Sequence, residues 1–353
     1  MRRTALTFLS FLMAALPAAS SARERVPQGE SLNGPLPVFE LRSGFWINFH
    51  HFLYQLAREK RDANAPKIAS RSVTGLSEAE QRDWDAAVSY YAAHFADKDL
   101  LFNSDLVSLK DLFGDFERCD ELSGKTRKEC NAGFPPALAD ALERASSVYR
   151  SHFWPAHDAE NRRWIAHVAP LVRQRGLELA QRLAEIYQTK WPREKIRVDV
   201  CAYANWAGAY TTLDPLRVTI SSLDPRNQHR AALEVLFHEA SHGIADPVQQ
   251  AILRECRQLG KPIPRDLWHA LLFYTTGEVV KSVLDPPPPR PSSSSSASGG
   301  SPAPGAYVPY AVREGLYTRR WESYQQLLQR FWQPYLDGRA DFDDAIVRMV
   351  SAL

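Results

Sequence analysis

The chain has 353 residues, 44% of them hydrophobic, and a formal net charge of +2 at pH 7. The apolar fraction is enough for a folded core, and the length exceeds that of one average domain. Because the charge is nearly balanced and Lys and Arg form no continuous stripe, nothing indicates a nucleic-acid partner.

The first 22 residues have the pattern of a signal peptide. Arg2 and Arg3 form a basic start, residues 4–15 are mostly apolar, and Ser20-Ser21-Ala22 offers a cleavage site with small side chains. The apolar run is too short to span a bilayer comfortably. We therefore expect export to the periplasm or the medium, with no stable membrane anchor.

Residues 23–190 are predicted to form a mostly helical N-terminal region. The apolar spacing predicts helices over residues 45–56, 76–95 and, with an interruption near Trp154-Pro155, 137–187. The second of them opens on Ser77 and Glu80, which have the spacing of a capping box. His50 and His51 are adjacent in the first helix and cannot share a face to bind one metal, so we expect packed or exposed side chains.

The chain contains four cysteines. Cys119 and Cys130 flank a polar loop and are expected to form a disulfide in an oxidising compartment. Cys201 and Cys256 lie in a predicted strand and a predicted helix. They either pair with each other or stay as buried thiols.

Two segments alternate in the manner of half-buried strands, residues 195–203 and 216–222. They predict a small sheet within an otherwise helical chain. The expected fold class is therefore α+β and predominantly helical.

His238-Glu239-Ala240-Ser241-His242 follows an apolar helical pattern and has the spacing of a zinc-binding helix. Residues four apart share a helix face, so His238 and His242 can bind one Zn²⁺ ion. Glu239 is placed to act as general base on a water held by the metal. Asp224 and Pro225 are expected to start this helix.

A catalytic zinc site needs a third protein ligand. Residues 267–284 predict a largely apolar helix in which Glu278 is the only acidic residue. An unpaired carboxylate is costly to bury, and metal ligation would satisfy it, so Glu278 is the preferred third ligand. The alternatives are Asp246, Glu255 and His269, and Asp246 is also a candidate acceptor for the free N–H of a ligand histidine.

Residues 286–305 are rich in Pro and Ser and are expected to be a disordered loop. Residues 306–353 follow as a C-terminal helical region. Tyr310, Tyr317 and Arg313 near its start are candidates for stabilising the developing oxyanion of a hydrolytic reaction.

The histidine motif and the later glutamate resemble those of the zincin metallopeptidases, specifically the gluzincin type. The longer motif of the metzincins is absent, since Val248 stands where its last histidine would be. The resemblance covers about residues 195–284. It implies a small sheet beside the active-site helix, with Asn205 to Tyr210 as an edge strand that pairs with the backbone of an extended peptide.

The resulting hypothesis is an exported zinc metallopeptidase with a catalytic core over residues 191–285. His238, His242 and Glu278 would bind Zn²⁺, Glu239 would activate water, and the partner would be a peptide or protein substrate. Two alternatives remain at this point. One is an inactive zinc-site protein with a binding or structural role, and the other is a zinc hydrolase of non-peptide amides or esters.

Overall fold

The computed structural model describes residues 38–62, 64, 67–70, 74–122, 133–286 and 305–353. Helices dominate, and four short strands form one sheet, which confirms the predicted α+β class. The strands are β1 (Phe39–Arg42), β2 (Ile196–Cys201), β3 (Ala209–Leu213) and β4 (Leu216–Ser221). The α-helices are α1 (Phe45–Arg61), α2 (Glu78–His94), α3 (Ser104–Leu122), α4 (Pro136–Val148), α5 (Trp154–Ile186), α6 (His229–Ser241), α7 (Asp246–Gln258), α8 (Leu267–Leu284), α9 (Tyr310–Arg313), α10 (Glu322–Leu327), α11 (Gln333–Leu336) and α12 (Phe342–Ser351).

The sheet has the strand order β1-β2-β4-β3. β1 and β4 run parallel to β2, whereas β3 is antiparallel to β4 and lies at the edge. The sequence predicted β2 and β4 but not β1, a four-residue strand that pairs with a partner more than 150 residues later. The edge strand begins at Ala209, later than expected, because residues 206 and 207 form a turn.

Alternation along the strands gives the sheet two unlike faces. Val198, Val200, Val218 and Ile220 are fully buried in the core that contains side chains of α5 and α6. The opposite face is polar, although it is also buried. It carries Arg197, Asp199 and Arg217, which form ion pairs with one another or with Asp111 and Glu117 of α3.

Helices α1 to α4 enclose a second core that is rich in aromatic side chains. Within it, Phe49 stacks on Tyr149 with 4.8 Å between ring centroids. α2 begins at the capping box of Ser77 and Glu80, as predicted. His50 and His51 are both buried, and they point to different partners, Tyr91 and Tyr210.

His157 in α5 provides a pH-dependent contribution to stability. Its Nδ1 lies 2.9 Å from the Tyr149 hydroxyl, and burial lowers its pKa to about 4. The unfolded chain, with a histidine pKa of about 6.5, binds this proton first, so stability should be lost as the pH falls from about 6.5 to 4. Between pH 7 and 4.5, the free energy of unfolding of His157→Phe should therefore fall by about 2 kcal/mol less than that of the parent, as measured by chemical denaturation. Equal losses in the two proteins would contradict this assignment.

The chain after the Pro- and Ser-rich segment is fastened to α6 and to the end of α8. Buried Glu234 of α6 accepts hydrogen bonds from the Tyr307 hydroxyl at 2.5 Å and the Tyr310 backbone N–H at 2.9 Å. The Asp285 carboxylate accepts hydrogen bonds from the Arg230 guanidinium and from the Tyr307 backbone N–H. The chain therefore leaves α8 and returns to the core at almost the same point.

The predicted disordered loop falls mainly on residues 287–304, which lie outside the described residues. Because Asp285 and Tyr307 are in contact, deletion of residues 292–301 should leave the thermal midpoint nearly unchanged. Shortening a closed loop alters its closure entropy only slowly. A fall of the midpoint by more than about 5 °C in differential scanning calorimetry would contradict this expectation.

Cys201 and Cys256 are buried free thiols, so the alternative in which they pair is wrong. Cys119 lies in α3, but Cys130 lies outside the described residues, and the disulfide between them stays a prediction. The predicted signal peptide also lies outside the described residues. In the part of the chain that is described, no helix is long and apolar enough to cross a membrane.

Candidate metal centre

The motif helix α6 lies on the apolar face of the sheet, and each residue from Ala231 to Ser241 is buried. Asp224 caps a 3₁₀ turn at residues 225–227 and not the helix itself, which begins one residue after Gln228. The helix ends at Ser241, and His242 is its C-cap residue. Gly243 follows in close contact with β4, where an added Cβ would lie 2.7 Å from a Leu216 methyl carbon.

Three histidines meet at the end of this helix. Ligand nitrogens of His238, His242 and His269 all lie within 4.8 Å of one another. His238 and His242 come from α6, and His269 comes from the first turn of α8. The two helices pack against each other. At Gly277 of α8 an added Cβ would lie 2.7 Å from Pro309 and 3.1 Å from Glu234 Oε1 of α6.

One of the three spacings between ligand nitrogens, that between His238 and His269, matches a zinc site. In a tetrahedral site with Zn–N bonds of about 2.0–2.1 Å, neighbouring ligand nitrogens are about 3.3–3.4 Å apart. The Nε2 atoms of His238 and His269 are 3.4 Å apart. Imidazole nitrogen is a preferred zinc ligand, so the donor set also suits this ion.

The three imidazoles lie among aromatic side chains, with His238 buried and His242 and His269 partly buried. Phe273 stacks on His238 with 3.7 Å between ring centroids, and Trp268 stacks on His269 at 5.2 Å. Burial lowers the pKa of His242 to about 3 and that of His269 to about 4, and it holds the pKa of His238 well below its usual range. The rings are therefore neutral near pH 7, and a metal has no proton to displace from them.

Glu239 is buried beside the histidines and is held by the edge strand. The Thr211 hydroxyl of β3 lies 2.7 Å from Glu239 Oε2 and 2.9 Å from the Glu239 backbone oxygen. Burial raises the pKa of Glu239 to about 7. A carboxylate whose pKa lies near neutral pH suits a general base.

The structure places Glu278, the preferred third ligand in the sequence, outside this group. Glu278 follows His269 by nine residues on the same helix. Nine residues are two and a half turns, so the two side chains lie on opposite faces and about 13 Å apart along the axis. The Glu278 carboxylate instead lies 3.4 Å from the Lys281 ammonium, with 27% of its side chain exposed.

The other carboxylates considered from the sequence also lie apart from the histidines. Asp246 is the first residue of α7 and accepts a hydrogen bond from the Gln250 side chain at 3.2 Å. Neither Asp246 nor Glu255 belongs to the histidine group among the described residues. His269 was one of the alternative ligands considered from the sequence. The signal in its favour is that it is the one histidine within residues 267–284, the predicted helix that follows the motif.

The proposed oxyanion stabilisers occupy three different positions. Tyr310 stacks on Phe273, with ring centroids 5.7 Å apart, and so belongs to the aromatic layer that covers His238. Tyr317 is buried, and its hydroxyl faces the Ala270 backbone oxygen of α8 at 3.5 Å. Arg313 lies over the Tyr310 ring and donates to the Arg226 backbone oxygen. Among the described residues, none of the three hydrogen-bonds to a histidine of the group or to Glu239.

Comparison of the chain with models of protein families, with curated proteins and with solved structures finds no match. The resemblance to zincins therefore rests on the sequence motif.

Proposed function

We propose that this chain is a zinc-dependent hydrolase that cleaves peptide bonds. His238, His242 and His269 hold the ion, and Glu239 is the general base. The observation that carries the proposal is the convergence of three imidazoles from two helices, with ligand nitrogens within 4.8 Å of one another, and with buried Glu239 directly after His238 in the chain. The ligand set with three histidines replaces the gluzincin-type set expected from the sequence.

The residues around the ion have separate tasks. Bound zinc would lower the pKa of a water ligand toward about 7 and polarise a substrate carbonyl. Glu239 takes the proton of the attacking water and then delivers it to the leaving amine. Three protein ligands leave a fourth position for water, whereas a purely structural zinc site is closed by a fourth ligand. This donor count favours a catalytic site over a structural one.

The edge strand β3 supports a peptide substrate. Gly208 accepts a hydrogen bond from the Ser221 backbone N–H at 2.8 Å, which fixes the alternation of the antiparallel pairs. By that alternation, the backbone N–H and C=O groups of Ala209 and Thr211 point away from β4. Ala209 and Thr211 are only 4% and 5% exposed, so a peptide that adds to this edge as a further strand has to displace the side chains that cover it. Trp206 and Leu213, at its two ends, are 64% and 62% exposed and offer apolar contacts to a bound chain.

The test is digestion of a peptide library prepared from a proteome, with cleavage products identified by mass spectrometry. The zinc-loaded protein should cleave peptides, a chelator should stop cleavage, and added Zn²⁺ should restore it. Zinc-loaded protein that leaves every peptide intact would contradict the peptidase proposal. Hydrolysis of simple amide or ester substrates by that same sample would assign the centre to a different substrate class.

A further inference from the structure

The two faces of β3 connect the candidate metal centre to the N-terminal helices. The Thr211 side chain points toward α6, where its hydroxyl contacts Glu239. Its neighbours Tyr210 and Thr212 point the other way, because successive side chains of a strand alternate. Tyr210 contacts α1 and Thr212 contacts α3. On one face the strand is therefore held by contacts with α1 and α3, and on the other it contacts the general base, Glu239.

The contact with α1 has a defined hydrogen-bond direction. His51 Nδ1 lies 2.7 Å from the Ile47 backbone oxygen, which can only accept, so Nδ1 carries the proton. His51 Nε2 is then the acceptor for the Tyr210 hydroxyl at 2.9 Å. Burial lowers the pKa of His51 to about 4, so this neutral form persists near pH 7.

The contact with α3 comes from a buried cation. Lys110 is only 1% exposed, and among the described residues it forms no ion pair within 4 Å. Its ammonium donates to the Thr212 hydroxyl at 3.2 Å and lies 4.5 Å from the centroid of the Tyr210 ring. A buried charge is costly, and the attraction of Asp199 and Asp111 stabilises it, while these two contacts direct the ammonium at the edge strand.

We propose that Thr211 is a positioning residue for Glu239, and that His51 and Lys110 hold the strand in the register that Thr211 needs. The inference rests on the proposed function, since it assigns a role to a neighbour of the general base. A shift of one residue would turn Thr211 to the opposite face of the sheet. Anchors on the residues immediately before and after Thr211 prevent that shift. This gives the N-terminal helices, which the histidine motif does not explain, a role in the reaction.

The hydroxyl suits this role because it holds one oxygen of Glu239 and leaves the other. The Thr211 hydroxyl donates its one proton to Oε2 at 2.7 Å, which is nearer than the Glu239 backbone oxygen at 2.9 Å. Among the described residues Oε1 has no hydrogen-bond partner. Oε1 is thus the oxygen that can accept the proton of the attacking water. Without the hydroxyl, the carboxylate would rotate away from that direction.

The experiment compares Thr211→Val, which keeps the shape and removes the hydroxyl, with Thr211→Ser, which keeps the hydroxyl. The probe is acetohydroxamic acid, which binds zinc through its oxygens and hydrogen-bonds to a neighbouring carboxylate. Its affinity for the zinc-loaded protein, measured by calorimetry, needs no substrate. We expect Thr211→Val to weaken binding about tenfold and Thr211→Ser to stay close to the parent, with zinc affinity unchanged in both. In peptide hydrolysis, kcat should fall in Thr211→Val while KM stays constant.

Glu239→Gln separates a failure of the positioning role of Thr211 from a failure of the proposed function. If Glu239→Gln weakens hydroxamate binding and Thr211→Val does not, the positioning role is wrong and the proposed function stands. If Glu239→Gln has no effect, Glu239 does not face the metal-bound group and the proposed function itself fails.

Lys110→Met tests the anchor on the opposite face, with exposed Lys60→Met as the matched control. Amide hydrogen exchange of residues 209–213 should become faster in Lys110→Met, with hydroxamate binding weakened as in Thr211→Val. Lys60→Met should match the parent in both measurements. Unchanged exchange and binding in Lys110→Met would overturn the anchoring role.

Discussion

Replacing His269 by alanine is expected to remove zinc binding, while Glu278→Ala should retain it. His269 supplies one of three imidazoles, and its loss leaves two ligands in a site with no other donor nearby among the described residues. Zinc affinity should fall by more than about a hundredfold, beyond the effect of losing an outer hydrogen-bond partner. Glu278 is paired with Lys281 on the far face of α8, so its removal should change affinity little.

The two variants form a matched pair because both change α8 and neither changes the motif helix. Zinc affinity is measured by competition with a chromophoric chelator, and circular dichroism checks that both variants fold. The reverse ranking, with Glu278 essential and His269 dispensable, would restore the ligand set predicted from the sequence. It would also mean that α8 is rotated relative to the structure described here.

Glu239→Gln is expected to keep zinc and to lose hydrolysis by a factor of about 10² to 10⁴. Glutamine has nearly the same shape but cannot accept the proton of the attacking water. Zinc content should stay stoichiometric, because the three histidines are unchanged. The measurement is kcat on a peptide identified in the library digest, with metal analysis of the same sample.

Glu278→Gln is the control for this substitution, since it makes the same chemical change on the neighbouring helix without touching the base. It should hydrolyse the peptide at the parent rate. Full activity of zinc-loaded Glu239→Gln would refute the assigned mechanism. Loss of zinc together with activity would show instead that Glu239 has a role in holding the metal.

The helices were the most predictable part of this fold, because their signals are local. α1 and α8 follow runs of apolar residues, and Ser77 and Glu80 mark the start of α2 within one turn of chain. β1 was missed because four residues carry little periodicity and its partner β2 lies far along the chain. Asp224 and Pro225 gave a true cap signal, but they cap a 3₁₀ turn that precedes the motif helix.

The candidate site was predictable only as far as one helix could specify it. Four-residue spacing placed His238 and His242 together, whereas the third ligand depended on how α8 packs against α6. Burial cost favoured Glu278 in the sequence, but partial exposure and Lys281 satisfy that carboxylate. Three further contacts, those of Thr211, Lys110 and His51, join residues that are 28 to 159 positions apart in the chain. A local sequence pattern cannot predict contacts over such separations.

We propose that His238, His242 and His269 form one zinc site. Anomalous diffraction is the most direct test of this site. Crystals of the zinc-loaded protein are measured on both sides of the zinc absorption edge. We expect one strong anomalous peak at about 2.0–2.1 Å from a nitrogen of each of the three histidines, with Glu239 beside it. A peak ligated by Glu278 in place of His269, or no peak between these histidines, would contradict it.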